Sequence, residues 1–178
     1  MFQTDDMVIY GKMGVCKVKD ITFMNIDGSD SEQLYYVLEP TNESYTIYSR
    51  VNNSKVYMRP IITETEACRL IDSICTIQGQ AYFNDKVQDL TKHYQSVLDM
   101  YNCADLIKLT TSIQAKKKML QQKNLKVGQT DARYLKQAEE LLYSEFSCAL
   151  GIPMDEVPDY IESKINASYH PSPTNTES

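Results

Sequence analysis

The chain has 178 residues, 42% of them hydrophobic and 24% charged, with a formal net charge of −6. This composition is globular: it is too apolar for a disordered chain, and no apolar run is long enough to span a bilayer. The acidic total argues against a general nucleic-acid binder, yet the charge is uneven: residues 1–66 carry six Lys and Arg against ten Asp and Glu, residues 67–130 nine against five, and residues 131–178 three against nine. Only the middle third is poised to attract phosphate.

Residues 7–10, 15–23, 34–38, 45–48 and 56–58 are short runs of β-branched and aromatic residues, and they predict five strands. Gly11 and Gly14 punctuate the first connection, and Asp27-Gly28 followed by residues 29–32 reads as a hairpin loop. Five strands of this length fit a small barrel, whose closure would leave few exposed edges. After Arg59-Pro60 the hydrophobic period changes. Thr63 and Glu66 match a capping box, and Ala67, Leu70, Ile71 and Ile74 form the apolar face of a first helix that Gly79 is expected to end. Val87, Leu90, Tyr94, Val97, Leu98 and Tyr101 make the clearest amphipathic stripe. Asn102 and Asp105 cap a third helix, in which Leu106, Leu109, Ile113 and Leu120 point one way before the run Lys116, Lys117, Lys118. Residues 125–130 connect to a helix opened by Asp131, with Leu135, Ala138, Leu142, Phe146 and Ala149 on one face and a stop at Gly151 and Pro153. A short fifth helix is expected around residues 155–165, and the polar stretch from residue 170 to 178, with Pro171 and Pro173, reads as a disordered tail. The fold class is therefore α+β: an N-terminal barrel over residues 1–60, a helical domain over 61–166 and a tail over 167–178.

The start of the chain has Asp5 and Asp6 and no basic segment ahead of an apolar one, so no secretory signal is read and a cytoplasmic protein is expected. Five cysteines (Cys16, Cys68, Cys75, Cys103, Cys148) without a CxxC pair, and two histidines, His93 and His170, predict neither a disulfide framework nor a metal site. Cys68 and Cys75 stand at helical spacing, which suits two small buried side chains. No Gly-rich phosphate loop, HExxH or GxSxG is present, and His93 is a lone helical histidine, so neither an enzyme nor a cofactor is expected.

Several words along the chain carry a likeness: Asp6-Met7-Val8-Ile9-Tyr10-Gly11, Gly14-Val15, Tyr35-Tyr36-Val37-Leu38 and Met58-Arg59-Pro60-Ile61-Ile62. The C-terminal half adds Asp131-Ala132-Arg133-Tyr134-Leu135, Ala138-Glu139-Glu140-Leu141-Leu142, Glu145 and Leu150-Gly151-Ile152. Over residues 2–165 the chain resembles the CarD family of bacterial transcription regulators, whose barrel also occurs as the polymerase-interacting domain of transcription-repair coupling factors. The resemblance implies an SH3-like or Tudor-like barrel that pairs with a lobe of the RNA polymerase β subunit. It also implies a helical domain that touches promoter DNA at the upstream edge of the melted bubble and alters the lifetime of the open complex.

For the polymerase the resemblance points to Tyr45, Thr46, Ile47, Tyr48 and Arg50. Strand addition needs little side-chain signature, because main-chain groups make most of the bonds. Alternation places Tyr45 and Ile47 on one side and Thr46 and Tyr48 on the other; an ordinary solvated strand would read the same way. For DNA, relatives place a tryptophan wedge at the entrance to the helical domain, and this chain has no Trp. Tyr82 and Phe83 lie nearest that place, either as wedge or as a cap on the core, while a second alignment puts Leu90 there, on the apolar stripe. Lys92, His93, Lys116, Lys117 and Lys118, followed by Lys123 and Lys126, are candidate phosphate contacts without base readout. A solvated helix end is the commoner origin of such a lysine run. An alternative function is a protein-interaction adaptor that binds polymerase or another partner without touching DNA.

Overall fold

The computed structural model describes residues 1–26, 31–52, 55–74, 76–77 and 79–169. The expected loop residues Asp27 and Gly28, Cys75 and the stretch from 170 onward lie outside the described residues. Among the described residues, five strands and five helices follow one another in the order expected for an α+β chain.

β1 (Met7–Tyr10) and β2 (Val15–Met24) are antiparallel, with Val8 opposite Cys16. A single 3-10 turn, Gly11–Met13, joins them and is closed by Gly14 at φ 72°, ψ −139°, a backbone state that is open to glycine because it has no Cβ. β3 (Gln33–Pro40) pairs with β2 in a register that breaks between Val18 and Asp20. Such a bulge bends the longer strand and raises its twist, which curls the sheet. β4 (Ile47–Arg50) joins the outer side of β3, and β5 (Met58–Pro60) joins β1, so the sheet order is β4-β3-β2-β1-β5. The curl encloses Val8, Cys16, Val18, Tyr36 and Leu38, with Ile47 and Met58 packed on them, so all five strands share one interior. The unit is barrel-like, with β4 and β5 as its two edges.

Two strands are displaced from their predicted positions. β4 begins at Ile47, where the ladder to Leu38 begins, leaving Tyr45 and Thr46 outside it. β5 runs from Met58 to Pro60 rather than ending at Met58. A proline is tolerated there because β5 is an edge strand that does not need every N–H.

The helices are α1 (Glu64–Ile74), α2 (Val87–Leu98), α3 (Cys103–Gln122), α4 (Gln129–Leu150) and α5 (Val157–Tyr169). The Thr63 hydroxyl oxygen accepts the Glu66 N–H at 3.2 Å, as a cap should, while the Glu66 carboxylate is held by Arg69. Asn102 caps α3 by accepting the Asp105 N–H at 2.9 Å, and Gly151 ends α4 in the left-handed conformation. α1 stops before Gly79, whose real task is close approach: a Cβ there would lie 2.3 Å from the Thr111 carbonyl carbon of α3. Tyr101, expected on the α2 stripe, lies beyond that helix at φ 50°. α5 continues to Tyr169, so residues 167–169 are helical rather than tail. Ala67, Ile71, Leu90, Tyr94, Leu98, Leu106, Ile113, Ala138, Leu142, Phe146 and Val157 bring all five helices to a second interior. Among the described residues no helix is long and apolar enough to cross a membrane.

The two interiors are joined by a buried ion pair. Arg59 of β5 grips Glu145 of α4 with Nη1 and Nη2, the latter at 2.8 Å from Oε2. Arg59 Nε and Nη2 also donate to the Tyr101 carbonyl at 2.9 and 2.7 Å. Glu145, 1% exposed, further accepts the Ile62 N–H at 2.9 Å and the Cys103 thiol at 3.1 Å. Burial and the adjacent Glu145 carboxylate hold that thiol well above its ordinary pKa, so it stays a donor. Beside this latch, a Cβ on Gly14 would come within 3.1 Å of Leu141 of α4, so the glycine also permits the close approach of sheet and helix.

Candidate functional site

The first group of candidate residues lies on and next to β4. Its inner side is bonded to β3, with Val37 opposite Tyr48 and Tyr35 opposite Arg50, and no strand lies on its outer side among the described residues. Alternation turns Ile47 toward the barrel core and buries Ser49, while Tyr48 (49% exposed) and Arg50 face out together. Arg50 Nε donates to the Tyr35 hydroxyl at 3.0 Å, and its guanidinium stands 6.0 Å from that ring's centroid. Thr46 is exposed just before the strand. Tyr45 turns elsewhere: its hydroxyl meets the Met13 sulfur at 3.5 Å, at the mouth of a cleft of about 500 Å³ that Leu141 and Ser144 of α4 also line. The structure therefore keeps Tyr48 and Arg50 on one face of the edge and separates Tyr45 from them.

Part of the second group is brought together where the segment before α2 crosses α3. Tyr82, half-buried against the bundle core, stacks on His93 with ring centroids 4.0 Å apart and planes at 23°. The next ring, Phe83, is 51% exposed, and the Lys116 ammonium stands 5.2 Å from its centroid.

Lys116 corrects an expectation. Rather than a free phosphate contact, it is a buried cation, 6% exposed, with Nζ 2.9 Å from Asp131 Oδ1. The same oxygen accepts the hydroxyl of the buried Tyr94 at 2.6 Å. Burial, reinforced by that bond to the carboxylate, holds the Tyr94 phenol well above its ordinary pKa, so it remains a donor. Asp131 lies in the first turn of α4, where the helix dipole favours its negative charge. Three helices thus meet on one carboxylate. Leu90, the alternative wedge position, is buried in the core.

Lys117 and Lys118 remain exposed. A helix turns by about 100° per residue, so Lys118 projects nearly opposite to Lys116 and away from Phe83. Lys117 lies near Glu139 of α4, whose carboxyl is pushed up by burial and pulled partly back by the Gln114 hydrogen bond and the Lys117 charge. Lys92 is exposed on α2, one residue before His93. The lysines therefore do not form one patch with the rings.

Residues 2–62 match the family model of the CarD-like/TRCF RID domain. No curated protein matches the chain. The matched stretch takes in all five strands and stops before α1, and the domain is a protein-interaction domain rather than a catalytic one. The five-stranded unit is therefore an RNA polymerase-interacting domain of the kind shared by CarD-like proteins and transcription-repair coupling factors, a transcription-related domain that the chain carries ahead of its helices.

Proposed function

We propose that this protein binds a lobe of the RNA polymerase β subunit through the outer edge of β4, and that its helical part rests against promoter DNA at the upstream edge of the bubble. In this reading residues 1–60 are the polymerase-binding unit, residues 61–166 the DNA-facing unit, and the protein acts by binding, in the cytoplasm, on the lifetime of the open complex. The carrying observation is the open edge of a domain matched to a polymerase-interacting family, with Tyr48 presented outward from it. An added strand would satisfy the outer main-chain groups of β4, and Tyr48 and Arg50 would supply the side-chain selectivity. The half-exposed Phe83 ring, next in the chain to the Tyr82–His93 stack, offers the flat apolar surface that can replace lost base stacking where a duplex opens.

The test is the double variant Tyr48→Glu, Arg50→Glu in binding to the isolated β lobe. Two reversed or added charges on a pairing edge should weaken the complex at least tenfold, or about 1.4 kcal/mol, with an unchanged barrel melting curve. Unaltered affinity would move the interface off β4.

A second reading, an adaptor that binds polymerase without touching DNA, is favoured by one specific observation: Lys116, the first of the lysine run, is spent on Asp131. Open-complex lifetimes with and without Phe83→Ala separate the two, since an adaptor would tolerate the change.

A further inference from the structure

Phe83 sits in an unusual setting for an exposed ring. An exposed phenylalanine ordinarily samples several rotamers, and a surface meant to meet a partner then loses that freedom on binding. Here the ring lies over an ammonium group that is itself shut away from water: the Lys116 side chain is 8% exposed and its partner Asp131 4%. Removing water from a cation strengthens its attraction to the negative face of a ring. The charge pair beneath is not explained by stability alone, because a buried ion pair is commonly replaceable by packed apolar residues at little cost. What an apolar pair could not supply is a positive charge fixed under Phe83. That charge cannot swing away, since the Tyr94 hydroxyl and the Lys116 ammonium share Asp131 Oδ1, and Asp131 is held in the first turn of α4. The preceding residue is pinned independently by the Tyr82–His93 stack.

We infer that Lys116 is a positioning residue: with Asp131 as its anchor, it seats the Phe83 ring in one orientation so that the exposed face is presented ready-made to its partner. The inference rests on the proposed reading of Phe83 as the DNA-facing ring, but the seating itself is a property of the free protein. Its effect on function is preorganisation, not a contact with phosphate.

The chain has no tryptophan, so Phe83→Trp installs a single indole on the seat, excited selectively at the red edge where the tyrosines do not absorb, in a ring that binds cations more strongly than phenylalanine. In that background, Lys116→Met combined with Asp131→Asn removes the charge without leaving a lone buried carboxylate. Acrylamide quenching of the indole should rise about two- to fivefold and its anisotropy fall, while far-ultraviolet circular dichroism and β-lobe binding hold. Lys116→Arg, which keeps the cation, should restore most of the protection. Unchanged quenching after removal of the charge pair would overturn the inference and reduce Lys116 to packing. Should the variant lacking both charges fail to fold, a series of fluorinated phenylalanines at position 83 leaves Lys116 untouched while draining the ring's negative face. Open-complex lifetime should then shorten stepwise with each fluorine and in step with loosening of the ring by fluorine NMR; a ring that stays equally ordered across the series would sink the seating. A ring that loosens while the lifetime stays constant would uphold the seating and refute the placement of Phe83 at the DNA.

Discussion

Lys116 and Glu145 are charged residues at positions where their helices bury apolar ones, and each is answered there by a single opposite charge. Breaking such a pair from one side leaves the other charge stranded in a low-dielectric interior, which costs roughly 3–5 kcal/mol. Glu145→Gln should accordingly lower the urea-unfolding free energy by about that amount, because the Arg59 guanidinium keeps the Tyr101 carbonyl but loses its counter-charge. A loss below about 1 kcal/mol would mean that water reaches Arg59. Part of this was legible beforehand. Lys116 falls in helical step with Ile113 and Leu120, and Glu145 lies between Leu142 and Ala149 at spacings of three and four, so the phase of each helix marks both charges as inward. Read as a triplet, the three lysines conceal this, because adjacent residues on a helix point in different directions. The partners were not legible: Asp131 and Arg59 are distant in the chain, and only packing chooses them.

Among the elements, those written by local chemistry emerged where the pattern put them, as with β1, the Asn102 cap of α3 and the Gly151 stop of α4. Those defined by a partner shifted. β4 and β5 moved by two residues because a strand extends only where its neighbour offers a ladder. Gly79 illustrates the same point: a glycine after an apolar helix reads as a stop, but its lack of a side chain serves the crossing of this segment over α3. Gly79→Ala should therefore push the segment off the helix, break the bond from the Ser112 hydroxyl to the Gln80 carbonyl, and destabilise the bundle by about 1–3 kcal/mol. Thermal melting would check this, with α3 amide exchange at Thr111 and Ser112 as the local readout; an unchanged melting temperature would show that the crossing is loose.

At the level of the whole molecule, the charge division along the chain persists in three dimensions as scattered cations rather than a continuous patch: Lys92, Lys117, Lys118, Lys123 and Lys126 are exposed on α2, on α3 and after it. If the first of the proposed readings holds, Lys117→Gln with Lys118→Gln should weaken promoter binding equally across promoter sequences. It should also lower the log–log salt slope of open-complex stabilisation by up to roughly two units, about one for each phosphate that is no longer neutralised, with β-lobe affinity intact. An unaltered slope would leave these lysines as a solvated helix end. The arrangement of the sheet bears on the same question of distance. Among the described residues one of its edges, β4, has no strand beyond it, and the other, β5, is riveted to α4 through Arg59. Four inter-strand steps of about 4.8 Å separate these edges, so roughly 19 Å of sheet, measured along its curl, stands between any strand added to β4 and the rivet. A hydrogen-bonded sheet hardly stretches in that direction. With a partner strand on β4, as proposed, the barrel would work as a ruler whose zero is set by the partner and whose far mark is carried by the bundle, and a strand inserted or lost at β4 would move that mark by one whole graduation rather than by degrees.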